Sequence, residues 1–262
     1  MKEKIKYWPV LLMVLLSVSG CTTSVNNSNS TAEYKTNFQY ESADSAFTGI
    51  SVNNVNGTVE VIGVDSLTGL QVSGEKKVTD QTAVDAENHI GDISIEMDSS
   101  GSTFSIITHQ PNSSGNRNYE VDYTIYVPSD WKTAITNVNG NVTVTNISAD
   151  ADVDLANGAV AANGITGNLK TIIQNGSINA DMVLPPGDTC NLSTTNGQII
   201  LTIPRSTSAT VSATVVNGAV STSNLSIAAT SASQTHIAGT IGKGEGSIAL
   251  NAVNGTIALN GK

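Results

Sequence analysis

Apolar and polar residues exchange places with a period of two through much of this chain. Val59-Glu60-Val61, Ile93-Ser94-Ile95-Glu96-Met97, Val121-Asp122-Tyr123-Thr124-Ile125-Tyr126-Val127 and Val142-Thr143-Val144 all alternate, as strands with one buried face do. Beyond Leu16 a helical period survives only at Gln81 to Ile90 (QTAVDAENHI), which reads as a short helix or a strand-linking loop. The pattern predicts an all-β fold.

The strand runs are punctuated by Asn-Gly, with glycines at Gly57, Gly140, Gly158, Gly176, Gly197, Gly218 and Gly255. From Gly140 the glycines step by 18, 18, 21 and 21 residues, and the last step, to Gly255, is 37, close to two periods. A fixed period near 20 residues implies one unit stacked on itself. Asn-Gly is also the strongest short hairpin signal, so isolated hairpins compete with coils. A half-period favours coils: Gly158, Gly167 and Gly176 step by nine, as do Gly246 and Gly255. Each coil would hold two short strands and two corners, and a corner needs φ > 0, which Gly adopts freely and Asn tolerates. Proline agrees, since Val127-Pro128, Leu184-Pro185-Pro186 and Ile203-Pro204 each end an apolar run, where no ladder donor is needed. The predicted fold is a single-stranded β-solenoid, β-helix-like, with coils of about 18–21 residues. Six or seven coils would give a rod of roughly 30 Å at ~4.8 Å per coil.

Composition divides the chain. Tyr34, Phe38, Tyr40, Phe47, Phe104, Tyr119, Tyr123, Tyr126 and Trp131 fall within residues 34–131, whereas 132–262 hold no aromatic and only eleven charged side chains. Residues 34–262 therefore read as one solenoid domain: an aromatic-packed N-terminal capping section (34–131) on an Asn-Gly repeat stack (132–262). Caps are needed because an open stack exposes strand edges.

The N-terminus carries an address. Lys2, Lys4 and Lys6 precede the apolar run Val10 to Leu16. The apolar stretch, about Tyr7 to Val18, is shorter than the ~20 residues that span a bilayer and reads as a signal peptide over residues 1–20. Leu16-Ser17-Val18-Ser19-Gly20-Cys21 resembles the bacterial lipobox. That resemblance implies cleavage between Gly20 and Cys21 and acylation of Cys21 with diacylglycerol and an N-linked palmitate-type chain, enough to anchor stably. Thr22 after the cysteine, in place of Asp, favours the outer membrane in a diderm cell. Residues 21–33, the lipidated cysteine and a polar tether, would join anchor to fold. Loss of residues 1–20, with three Lys and one Glu, takes the formal net charge from −10 to −12. Such a charge disfavours nucleic acid as a partner.

Ile50-Ser51-Val52-Asn53-Asn54-Val55-Asn56-Gly57-Thr58-Val59, then Phe104-Ser105-Ile106, then Tyr123-Thr124-Ile125-Tyr126-Val127-Pro128, then Val138-Asn139-Gly140-Asn141-Val142, resemble in their order the bacterial "putative adhesin" family DUF4097. The resemblance spans roughly residues 38–260. It implies an exported or membrane-tethered β-solenoid of the cell envelope and brings no catalytic motif. Some relatives are encoded beside envelope-stress regulators, which implies a second role.

Candidate chemistry is sparse. His89, His109 and His236 have no partner at metal-ligand spacing. Asp150, Asp152 and Asp154 resemble the start of a calcium loop, but Leu155 follows and no Glu closes it; they read as the polar side of a strand. There is no Gly-x-Ser-x-Gly elbow. Glu120 and Asp122 share one strand face as surface carboxylates do. Tyr119, Tyr123 and Trp131 could form a sugar platform, although core packing fits them better. Cys190, the one cysteine left beside Cys21, reads as a small core residue. The expectation is a non-enzymatic envelope lipoprotein, without metal or cofactor, that binds another envelope protein or a surface glycan as an adhesin-like or scaffold module. The alternative is an accessory of envelope-stress signalling that binds a membrane regulator.

Overall fold

The computed structural model describes residues 31–43, 46–99, 101–112 and 116–262. The signal peptide, Gly20, Cys21 and most of the tether lie outside the described residues. Among the described residues no helix is long and apolar enough to cross a membrane.

One continuous sheet winds into coils of two arms. In β10 (Ala151–Thr166) the first arm buries Ala151, Val153 and Leu155, the chain turns at Asn157-Gly158, and the second arm buries Val160, Ala162 and Ile165. Only two residues separate its end from β11 (Leu169–Val183), which stacks on it in parallel register, Ala151 beside Leu169 and Gly158 beside Gly176. So short a connection requires the second arm to run back towards the start of the first. β12 (Thr189–Ile203), β13 (Ala209–Ser223) and β16 (Gly246–Gly261) repeat the coil. Buried residues form columns along the axis, such as Leu169, Cys190, Ile248 and Val211. In three further layers the arms are separate strands: β6 (Thr103–His109) with β7 (Asn118–Val127), β2 (Gly49–Asn53) with β3 (Val59–Gly63), and β8 (Lys132–Asn139) with β9 (Val142–Thr145).

The stacking order departs from the chain order twice. The β2/β3 layer lies between β6/β7 and β8/β9. The last coil, β16, lies between β12 and β13. The 37-residue step from Gly218 to Gly255 is therefore not two periods of progress. The chain leaves β13, forms the antiparallel hairpin of β14 (Ile227–Ala232) and β15 (His236–Ile241) over the first arm of β13, and steps back to insert Gly255 between Gly197 and Gly218. The aromatic section likewise does more than cap, because it supplies the β6/β7 and β2/β3 coil layers. The covering strands are β4 (Leu70–Asp80), added antiparallel to β7, β1 (Ala32–Ser42), added antiparallel to β4, and β5 (Ser94–Asp98), added antiparallel to β6. The path from β1 to β14 crosses twelve strands, so the rod is roughly 50 Å long at ~4.8 Å per strand, longer than the expected 30 Å.

Gln81 to Ile90 holds a helix, α1 (Ala83–His89). Thr82 caps it, its hydroxyl accepting from the Asp85 N–H at 3.1 Å, and Ala86 is buried.

The corner glycines have two reasons to be glycine. Gly158 and Gly176 have φ of +143° and +145°, a region that L side chains avoid. A Cβ on Gly176 would also fall inside the carbonyl of Gly158, as one on Gly158 would meet the carbonyl of Gly140. Two buried asparagines brace the first corners from within: Asn54 Nδ2 donates to the Val121 carbonyl at 3.1 Å and Asn137 Nδ2 to that of Gly57 at 2.9 Å. Burial alone would make such groups costly.

One ion pair ties the cap together. Arg117 Nε donates to Asp80 Oδ2 at 2.5 Å, and Asp80 is 6% exposed. The Arg117 guanidinium, helped by the Gln81 N–H, holds the Asp80 carboxyl below the usual carboxylate range. A depressed folded pKa stabilises above the unfolded value of ~4 and loses that stability as pH falls further. Asp80→Asn is thus expected to melt below the wild type at pH 7, and the gap to close below about pH 4. Melting curves across pH check this.

Candidate functional site

The most continuous surface feature arises from the corner asparagines. In each layer the residue before the corner glycine points outward, and parallel in-register stacking places these side chains one coil apart. Asn139 Nδ2 donates to Asn56 Oδ1 at 2.7 Å, Asn157 to Asn139 at 2.9 Å, Asn175 to Asn157 at 2.9 Å and Asn196 to Asn175 at 2.8 Å. Asn254 then donates to Asn196 and Asn217 to Asn254, both at 2.8 Å. The file ends where Asn56 Nδ2 donates to the Tyr119 carbonyl at 3.1 Å. All donors point the same way. Each carboxamide spends one N–H on the file and keeps another for solvent, so the ridge is a row of evenly spaced donors. Exposed Val138, Val253 and Val216 flank it.

At the Asn56 end the ridge opens into a groove. Asp122 Oδ1 accepts from the Thr58 N–H at 2.6 Å and from the Thr58 hydroxyl at 2.8 Å, closing the last corner with a carboxylate where another coil would have put an amide. Two concavities meet at Thr58 and Asp122. One, of about 540 Å³, is lined by Asn56, Lys77, Glu120, Asn139 and Asn141. The other, of about 350 Å³, is lined by Asn37, Gln39, Ser73, Glu75 and Thr124. Lys77 pairs with Glu120, and Lys35 Nζ lies 2.9 Å from Glu75. These charges are mutually engaged, so the groove offers amides, hydroxyls and carboxylate oxygens, a surface suited to a neutral polar ligand.

The other candidates disperse. His89 pairs with Asp92 at 2.8 Å, His109 with Glu96 at 3.0 Å and His236 with the Thr214 hydroxyl at 2.9 Å. Among the described residues no three His, Cys, Asp or Glu side chains gather as metal ligands. Asp150 meets Asn168 and Lys132, which hold its carboxyl below the usual range, and Asp152 pairs with Lys170 at 3.0 Å. They lie on the outer side of the coil, with Val153 and Leu155 inward. Tyr119, Tyr123 and Trp131 are buried, so they offer no sugar platform. Burial pushes the Tyr123 phenol up to about 12, and its oxygen lies 2.7 Å from the Thr108 hydroxyl. Cys190 is a core residue whose thiol burial pushes up to about 12. Gly57, Gly140, Gly158, Gly176, Gly197, Gly218 and Gly255 all sit at positive φ beneath the ridge. The Asn-Gly motif marks these asparagines as turn formers, and the Thr/Ser/Asn-rich composition as a polar face, but neither shows the single file, and the groove is hidden in the sequence because Thr58 and Asp122 are 64 residues apart.

Residues 132–260 match the family model Toastrack DUF4097. That is the Asn-Gly stack, from β8 to the last coil. No curated protein matches the chain. Among solved structures, the chain is similar to a "putative cell adhesion protein" from Clostridium sporogenes, at 15% identity and a TM-score of 0.47, with 87% of this chain and 100% of that one covered. It is also similar to a "putative adhesin" from Bacteroides fragilis, at 12% identity and a TM-score of 0.30, over 86% of this chain and 96% of that one. A "putative adhesin" from Parabacteroides distasonis gives 10% identity and a TM-score of 0.26 over the same shares.

Proposed function

We propose that this chain is a non-enzymatic lipoprotein of the bacterial envelope, anchored through acylated Cys21, whose solenoid serves as an adhesin-like binding module. The asparagine ridge and the groove at its Asn56 end receive the ligand, a surface glycan or an extended segment of another envelope protein. The observation that carries this reading is the ridge itself: evenly spaced amide donors across seven layers, running into a polar groove. Such a row recognises a repeating polar polymer better than a small substrate. The lipobox resemblance of residues 16–21 and the Toastrack match of residues 132–260 support the envelope setting.

The test is crosslinking in intact cells through a photoreactive group at Asn141, with captured neighbours identified by mass spectrometry. Capture of surface glycans or exposed envelope proteins, lost in Asp122→Ala, is the expected result. Capture of a membrane regulator alone would move the module to envelope-stress signalling. Cys21→Ala is expected to move the protein out of the membrane fraction, and an unchanged fractionation would overturn the anchor.

A further inference from the structure

The two ends of the rod are finished differently. At the β1 end the edge strand carries Glu33, Lys35 and Glu41, charges that discourage another strand from adding. At the opposite end the sequence has no Asp, Glu, Lys or Arg between Arg205 and Lys243. That stretch contains all of β13, β14 and β15, and so both terminal edges. Residues 221–234 are exposed throughout except for Leu225 and Ile227.

This end is also a step. The first arm of β13 is covered by β15 and then β14, whereas its second arm pairs only with β16. The outer edge of the second arm is met at Val220, whose N–H reaches the Gln234 carbonyl at 2.8 Å. Beyond it, the Thr222 N–H and C=O lie on that same side by the alternation of a parallel pair. No strand of the described residues covers them. One face thus stands two strands, ~10 Å, taller than the other. The inner side of the taller face is apolar, since register puts Ile227, Ala229, Ile237 and Ile241 in line with the buried residues of β13. Ala229 is exposed there and Ile227 and Ile237 are half-buried, because the shorter face has nothing opposite them.

A step of this kind fits a rotated copy of itself. β15 is antiparallel to β13 and β14 to β15, so β14 runs with the first arm of β13 and against the second. A two-fold axis along the strands places the β14–β15 hairpin of each copy over the short face of the other. It aligns β14 antiparallel to the partner's second arm, twice, in an isologous contact. Both steps are filled and both apolar inner faces are covered. The chain is acidic, with a formal net charge of −10, and this uncharged end is where two copies meet with least repulsion. Residues 221–234 with the neighbouring arms approach the ~20 residues a side of a standard interface.

We infer that the β13/β14 end is a self-association surface that joins two copies of this chain end to end by mutual strand addition. Residue 32 begins β1 at the far end of the rod, so the pair carries its two β1 strands about 100 Å apart, at opposite ends. With the lipid anchor proposed above, the pair would bridge two membranes rather than pack side by side on one. This bridging rests on that anchor, and the pairing does not.

The test is the mass of the purified chain in solution by light scattering at micromolar concentration. The expected result is twice the mass of the single chain that is loaded. Thr222→Lys is expected to return it to a monomer with unchanged circular dichroism and melting temperature. Mixing Thr222→Lys with Ala229→Glu chains, which sets Lys against Glu at one of the two contacts, is expected to restore the pair. A monomeric wild type, or a dimer indifferent to Thr222→Lys, would overturn the inference. Vesicles carrying the lipidated chain are expected to cluster, and to stay dispersed with Thr222→Lys. A dimer in solution without clustering would remove the bridging and leave the pairing, and neither result depends on the groove's ligand.

Discussion

Gly176→Ala is expected to lower the melting temperature by roughly 6–12 °C or more. A non-glycine residue at φ of +145° costs of order 1–3 kcal/mol. The added Cβ must also displace the Gly158 carbonyl, a backbone atom of the next coil that cannot swing aside as a side chain could. Parting two coils at one corner disturbs the parallel ladder on both sides. A total of at least about 3 kcal/mol follows, and each kcal/mol is worth ~2–4 °C in a domain of this size. Two controls separate the contributions. Gly187 has φ of +90° with nothing within 4 Å of a built Cβ, so Gly187→Ala should show the conformational cost alone, about 1 kcal/mol. Gly91 has neither constraint, and Gly91→Ala should stay within ~0.5 kcal/mol. Thermal melts of the three variants check the ranking. A Gly176→Ala protein that melts with Gly187→Ala would remove the close-approach argument.

Deleting residues 246–262 is expected to do far more than shorten the rod. In a solenoid stacked in chain order, loss of the last coil trims an end and leaves the rest, because each repeat touches only its neighbours. Here the last coil is an internal layer. Its removal strips β12 of one neighbour and β13 of its only full-length neighbour, and takes Ile248, Leu250, Ile257 and Leu259 out of the core. At ~1.5–3 kcal/mol for each large apolar side chain, the loss rivals the 5–15 kcal/mol stability of a typical domain. Limited proteolysis should cleave the shortened chain rapidly between β12 and residue 245, where the full chain resists. Equal resistance would contradict the insertion.

Local signals were legible and long-range ones were not. Asn-Gly marks a corner because φ > 0 is a property of the residue itself, and alternation marks a strand because the pleat has period two. Both could be read from a few residues. The order in which coils dock leaves no such mark, since Val-x-Ile columns of similar width stack about equally well. That is why the 37-residue step looked like two periods, and why β2/β3 could not be placed between β6/β7 and β8/β9. The asparagine ridge was half legible: the residues were visible, but the file needs every corner in register. The groove was invisible because the Asp122–Thr58 contact that shapes it joins strands with no shared motif. Asn163-Gly164 and Asn260-Gly261 show the limit of the motif. Both belong to coils yet lie off the ridge, Gly164 at a second corner with φ of +66° and Gly261 at the end of β16.

The order of the coils defines this fold, and cysteine pairs on the ridge test that order most directly. Neighbouring ridge positions lie one coil apart, ~4.8 Å, within the 4.4–6.8 Å that a disulfide spans, whereas two coils exceed its reach. Mild oxidation should link Asn196→Cys with Asn254→Cys, and Asn254→Cys with Asn217→Cys, but not Asn196→Cys with Asn217→Cys. Efficient linkage of positions 196 and 217, with none from 254 to 196, would place the coils in chain order and contradict the fold described above.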